Sequence, residues 1–326
     1  MKRPYFFELF TIVNLIAIAV IGYGTFELIR EPARMLFNLI ATVAAEAALG
    51  VIIRVGVALV RREHGYFRVI RSGAWLIDTM RLIFGGALVI FTYGWIKLVV
   101  PIVHPALFDA PLWELDQLLF FGAAPSVLAL DLFGNPAVLR AVDWSYANIF
   151  AASIIIASAY FLSEPSRRVR VGFANGYAML WIAGAWLYTL VPSLGPAYRF
   201  PDIWMAHSSA LRTTQIFQAR LMRNYQDVLR FWAGEPYHAV SMVYGIGAFP
   251  SLHVAFQTYV FLWMRKLWRS GQVLFGIFVV FIFLGSMITG WHYFIDGVAG
   301  LLLAVACYKL FARRMRLHRW LELRRR

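Results

Sequence analysis

Long apolar runs alternate with short, often basic links along the whole chain. A membrane-crossing helix needs about 20 mostly apolar residues. Eight runs approach that length: residues 9–29, 36–60, 82–103, 145–163, 173–192, 251–268, 271–289 and 291–312. Very short links join the last three, which are expected to be antiparallel neighbours. The pattern predicts an all-α, polytopic membrane helix bundle of about eight spans. Two longer connections, 104–144 and 193–250, mix apolar and charged residues at helical spacing. Within 210–232, Leu211, Phe217, Leu221, Tyr225, Val228 and Phe231 recur near the 3.6-residue period, with Arg212, Arg220 and Arg223 among them. That pattern predicts a helix lying at the membrane interface. Its arginines suit a plain lid as well as a substrate contact.

Basic residues orient the bundle. They crowd the links 61–81, 164–172 and 265–269 and the tail 309–326, which holds Lys309 and seven arginines. With eight spans these four regions share one side with Lys2 and Arg3, and the positive-inside rule makes that side cytoplasmic. Both ends of the sequence are then cytoplasmic, and connections 104–144 and 193–250 lie on the outer side. The expected divisions are N-terminal membrane helices at 1–81, a catalytic membrane domain at 82–312 and a basic tail at 313–326 that can touch anionic lipid. The first apolar stretch is longer than a signal-peptide core and shows no clear small-residue cleavage site, so it is read as a retained helix.

Composition agrees with this reading. The 326 residues are 61% hydrophobic and only 15% charged, with a mean hydropathy of +0.66; a soluble domain carries about a quarter charged residues. The net charge of +14 would suggest nucleic acid in a soluble protein, but here it flanks apolar runs and implies no nucleic-acid partner. Cys307, the only cysteine, permits neither a disulfide framework nor a thiolate metal cluster within one chain.

The candidate chemistry sits at two helix mouths. In "GAFPSLHVAF" (245–254) a proline and a serine open the sixth run. Proline is favoured in a first helical turn and serine caps free N–H groups there, so the helix start favours an anion such as phosphate. His253 lies in that first turn. In "TGWHYFIDGVAG" (289–300), His292 and Asp296 are four residues apart and would share a helical face. A carboxylate beside an imidazole fixes its tautomer and frees the other nitrogen. Both mouths face the outer side, so a nucleophilic histidine, a carboxylate, an acid histidine and an anion-favouring helix start are expected together. This set suits phosphoryl transfer: His292 attacks phosphorus, Asp296 stabilises the imidazolium, and His253 protonates the leaving oxygen. A zinc site built from the same three residues is the weaker alternative, and no metal or other cofactor is expected.

At these residues the chain resembles the type 2 phosphatidic acid phosphatase superfamily. Pro250, Ser251, Leu252 and His253 match its Pro-Ser-x-His signature. His292 and Asp296 match the end of its Ser-Arg-(five residues)-His-(three residues)-Asp signature, but Gly285 and Ser286 stand in the Ser and Arg slots. The Lys-(six residues)-Arg-Pro signature is not found; "LYTLVPSLGPAYRFP" (187–201) stands in its place. Together with "LWELDQLLFFGAAPSV" (112–127), these departures are similar to the inositolphosphotransferase branch, typified by inositol phosphorylceramide synthases. The resemblance covers roughly residues 100–312. It implies a six-helix phosphatase-type core, a phosphohistidine intermediate without a required metal, catalytic roles for His292, Asp296 and His253, and a phosphate contact at Ser251.

The missing Lys and Arg leave a developing phosphoryl charge without its cations. Arg199 is the first candidate replacement, Lys97 the second and Arg212 the third; each equally suits an interfacial, snorkelling role. Tyr198 and Tyr293 could donate hydrogen bonds or belong to the aromatic belt. The expected partners are a phospholipid or lipid phosphate and the membrane itself, with the oligomeric state left open. Water as acceptor makes the protein a lipid phosphate phosphatase, acting on phosphatidate or a polyprenyl phosphate or diphosphate; an alcohol makes it a phosphotransferase. A transporter or scaffold is the alternative from another class, with Glu46 and Arg54 as its mid-span charges. Glu46→Gln separates these: it abolishes transport but is mild in an enzyme. An Arg-rich, Lys-poor chain with these features fits a bacterial inner membrane.

Overall fold

The computed structural model describes residues 3–238, 240–268 and 271–312. The basic tail 313–326, Lys2 and Arg269 lie outside the described residues. Among the described residues the chain is all-α, without a named strand and with one isolated bridge between Ile29 and Val240. The first half holds α1 (Phe6–Ile21), α2 (Pro32–Arg61), α3 (His64–Ile70), α4 (Gly73–Val103), α5 (Asp109–Leu119), α6 (Pro125–Leu132) and α7 (Pro136–Leu162). The second half holds α8 (Arg167–Leu190), α9 (Pro196–Arg199), α10 (Pro201–Met205), α11 (Arg212–Trp232), α12 (Leu252–Leu267), α13 (Gln272–Ile288) and α14 (Phe294–Ala312).

Eight of these helices coincide with the eight apolar runs, with shifted ends. The run 9–29 is not one helix. It stops at Ile21, turns at Gly24, whose φ of 87° suits glycine, and continues as a 3₁₀ turn at Thr25–Leu28. In contrast, α4 begins nine residues before the apolar run at 82, because Ser72 caps it by accepting the Trp75 N–H at 3.3 Å. Arg81 therefore lies within a helix. α7 likewise begins early, at Pro136, where Asn135 accepts the Ala137 N–H.

Four helices, α2, α4, α7 and α14, are long and apolar enough to cross a membrane, and α1 and α13 are apolar but shorter. This is a membrane protein by that measure. α12 has only 16 residues and falls short of it. Tyr259, Val260, Trp263 and Met264 are fully buried among other helices, so protein rather than lipid surrounds them. The contact is close: a Cβ on Gly176 of α8 would strike the Tyr259 ring, and the Tyr259 hydroxyl donates to the Phe173 carbonyl at 2.8 Å. Inside a bilayer such packing, more than apolar burial, holds helices together.

Three arginine–carboxylate pairs mark one end of the bundle. Arg54 pairs with Glu164 at 2.7 Å, Arg81 with Glu8, and Arg167 with Asp78 at 3.0 Å. Chain direction puts the starts of α12 and α14 at the other end. There α11 lies across the bundle, with Thr214, Gln218 and Val228 turned inward and Arg212, Arg220 and Arg223 exposed.

Candidate active site

The loop 192–197 ties the site together. The Phe108 N–H donates to the Pro192 carbonyl at 2.7 Å and that of Ala248 to the Ser193 carbonyl at 2.9 Å. The Ser193 hydroxyl accepts the Phe249 N–H, and the Ala197 N–H reaches the Gly290 carbonyl. Gly195 has a φ of 107° and lies against the Trp291 carbonyl, where a Cβ would not fit. One loop thus holds both histidine-bearing segments.

Ser251 caps α12 from a fully buried position, its hydroxyl accepting the Val254 N–H at 3.4 Å. Its own N–H donates to the Asp296 carbonyl at 2.9 Å, and Gly300 lets α14 approach the Ser251 backbone. The starts of α12 and α14 are therefore stitched together, and they carry His253 and His292 to each other. His253 Nδ1 lies 3.3 Å from His292 Nε2. His292 is in the turn before α14 rather than on the helix, so its relation to Asp296 differs from a shared helical face. Its Nδ1 is 2.9 Å from the Ala248 carbonyl and 3.4 Å from Asp296 Oδ2. A carbonyl only accepts, so Nδ1 bears the proton and Nε2 of the neutral ring keeps its lone pair. The backbone sets the tautomer, and Asp296 supplies negative charge beside it. Asp296 Oδ2 also accepts the Tyr293 N–H at 2.9 Å, while Oδ1 is buried with no hydrogen-bond partner among the described residues.

The candidate cations separate. Lys97 lines the same cavity as His253, bears electrostatically on both imidazoles, and lies 5.6 and 5.5 Å from the ring centres of Tyr93 and Tyr188. Arg199 is exposed, its guanidinium 5.3 Å from the Phe200 ring centre. Arg212 is also exposed, at the start of α11. Tyr198 donates to the Gln218 carbonyl at 3.0 Å and meets Trp291 edge-on, which fastens the lid rather than pointing at a histidine. Tyr293 donates to Asp109. In the Arg slot, Ser286 donates to the Phe283 carbonyl and its own carbonyl accepts from Trp291 and His292; it shapes the turn.

Asp109 and Asp143 of the outer connections were not singled out from the sequence, and Asp116 entered only as part of the segment 112–127. Asp109 accepts the N–H groups of Leu194 and Gly195 and the Tyr293 hydroxyl. Asp116 accepts those of Phe294 and Ile295 at 2.7 and 3.0 Å, capping α14 from another helix. Asp143 caps α11 through Thr213 and Thr214, both at 2.8 Å. The available signal was a carboxylate within otherwise apolar sequence, which in a membrane protein asks for a partner. Burial raises the Asp116 carboxyl to about 6, with the Asp296 charge adding and the two N–H groups opposing.

Glu46 and Arg54 do not form one path. Arg54 is held by Glu164 and Ser163, and Glu46 by Ser158.

Compared with known proteins, residues 110–310 match the family model of the PAP2 superfamily. That is more than half of the chain. The chain belongs to the PAP2 superfamily. No curated protein and no solved structure matches it. Membership brings phosphatase or phosphotransferase chemistry on lipid phosphates as the general activity. The matched segment begins in α5 and ends in α14, so this PAP2 protein carries Lys97 on a helix outside it.

Proposed function

We propose that this protein is an integral membrane phosphotransferase that works through a phosphohistidine at His292, as in the inositolphosphotransferase branch. One observation carries the reading: His292 Nδ1 faces the Ala248 carbonyl while Nε2 faces His253 at the cavity wall that Lys97 shares. Nε2 attacks phosphorus, forming a P–N bond as the P–O bond to the lipid alcohol breaks. His253 gives its proton to the departing oxygen. It then takes the proton of the acceptor hydroxyl, whose oxygen attacks phosphorus and releases Nε2. Asp296 stabilises the imidazolium between the two steps. Lys97 and the capped start of α12 hold the phosphoryl oxygens. At 3.3 Å the rings leave no room for a phosphoryl group, so substrate entry parts them.

The same intermediate with water as acceptor makes the protein a lipid phosphate phosphatase, a reading that the PAP2 match equally supports. In both readings eight helices cross the membrane and the N-terminal helices 1–81 precede a catalytic domain at 82–312. The site then opens to the outer side of what is proposed to be a bacterial inner membrane, with both ends of the sequence cytoplasmic. The basic short links 61–81 and 164–172 at the opposite end support this orientation.

Product analysis by mass spectrometry tests the proposal. Purified protein is placed in liposomes containing phosphatidate, a polyprenyl diphosphate, phosphatidylinositol and ceramide, with His292→Asn as control. A new phosphodiester lipid with released diacylglycerol, absent from the control, is expected. Free phosphate dependent on His292 would replace the transferase reading with the phosphatase, and turnover undiminished in the control would sink both.

A further inference from the structure

A cavity of about 650 Å³ runs from the histidine end into the bundle. Its mouth is lined by His253, Lys97 and Trp291, and its walls below by apolar and aromatic side chains such as Ile90, Phe150 and Trp181. α7 and α8 supply one side. α2 and α4, which lie outside the PAP2 match, supply the other. Polar groups are few along its depth. The charged groups among them are Glu46, half-buried and hydrogen-bonded to Ser158 across the cavity wall, and, deeper, Arg170, whose Nη1 donates to the Thr79 hydroxyl.

The depth of Glu46 follows from helix packing. Gly86 of α4 lies against Val43 of α2, one turn before Glu46. Eleven residues of α4 separate Gly86 from Lys97, about 16 Å along the helix. A hydrocarbon chain starting beside Lys97 therefore travels through apolar wall for that distance and then meets a carboxyl group. A chain that ends there leaves the Glu46–Ser158 pair intact. A longer one presses methylenes onto a polar pair and offers it no hydrogen bond, which is costly in an apolar surround.

We infer that this cavity receives one hydrocarbon chain of the lipid whose headgroup meets His253 and Lys97, and that Glu46 sets the depth at which that chain ends. Chain selection then belongs to helices outside the family-matching segment. The headgroup end of this inference rests on the proposed phosphoryl site; the occupancy of the cavity does not.

Photolabelling tests it without requiring turnover. The probe is a phosphatidate with a diazirine at the terminal carbon of one chain, used in liposomes with the full chain carrying His292→Asn, and labelled peptides are mapped by mass spectrometry. Labels on cavity-facing residues near Val43, Glu46 and Tyr177 are expected. Gly86→Leu, and separately Ile154→Trp on the opposite wall, should lower that labelling at least fivefold while labels on outward residues such as Ile52 persist. Phosphatidates of graded chain length then compete with the probe. Competition should weaken beyond one length, and Glu46→Leu should move that limit to longer chains by at least threefold in half-maximal concentration. Labels confined to outward faces, or unchanged by both filling variants, would overturn the cavity as the chain site. An identical length profile in Glu46→Leu would overturn the role of Glu46. If wild type turns over no lipid while the labelling pattern holds, the phosphoryl-transfer reading fails and the chain site stands.

Discussion

The two ends of the bundle treat their carboxylates differently. At the basic end, Glu8, Asp78 and Glu164 meet the guanidinium groups of Arg81, Arg167 and Arg54. At the histidine end, Asp109, Asp116 and Asp143 meet backbone N–H groups at the starts of other segments. A guanidinium cancels a carboxylate and leaves little field. A carboxylate satisfied by amides fixes a loop or helix start without needing a basic side chain nearby. The histidine end is thus held by backbone contacts, and in the proposed mechanism its cationic work falls to Lys97 and helix termini.

The largest effect expected is at the nucleophile: His292→Asn should remove turnover of every lipid in the product assay. His253→Asn should lower it by about 10²- to 10⁴-fold, the usual worth of a general acid–base. That loss should shrink on a substrate whose leaving group needs no proton, which distinguishes an acid from a merely structural histidine. Lys97→Met should cost about 10²-fold in kcat/KM, whereas exposed Arg199→Ala should change it less than about threefold. The reverse order would move the phosphate cation from α4 to the lid.

The next tests concern stability. Asp109→Ala leaves two N–H groups and the Tyr293 hydroxyl unmet, and should cost about 2–4 kcal/mol in detergent unfolding. Asp116→Ala should cost about 1–2 kcal/mol as a lost cap. Asp116→Asn keeps an acceptor and should cost less than Asp116→Ala. It should also remove a pH dependence. Because burial raises Asp116 from 3.8 to about 6, the folded protein holds this proton more tightly than the unfolded chain does. Its contribution is full below about pH 4 and is lost as the pH rises through about 6, so wild type minus Asp116→Asn should slope downward across that window. A flat difference would mean that the two N–H groups balance burial, and an upward slope that they outweigh it. At the basic end, Arg81→Gln should cost only about 0.2–1 kcal/mol, as for other partly exposed ion pairs, and leave turnover unchanged.

Much of the fold was readable because a bilayer imposes a length and an apolar composition on anything that crosses it. The eight apolar runs, the short links and the amphipathic α11 all follow from patterns within one segment, and so does the pairing of His292 with Asp296 by spacing. Helix ends were less legible. Ser72 and Asn135 extend α4 and α7 by local capping beyond the apolar runs, and the glycine at 24 cuts α1 short.

The amino-acid sequence by itself determined the helical class, the basic and histidine ends, and the two motifs at the mouths of α12 and α14. These depend on residue type and on separations of a few residues, where helix geometry converts spacing into position. Only the tertiary structure decided that the Ala248 carbonyl receives His292 Nδ1, that Asp109 and Asp116 cap segments far away in the chain, and that Lys97 rather than Arg199 shares the cavity with His253. Each of those contacts joins residues separated by 44 to 178 positions or by different helices. Such contacts depend on how helices rotate and approach one another, which interlocking side chains and close-packed glycines settle and local spacing does not.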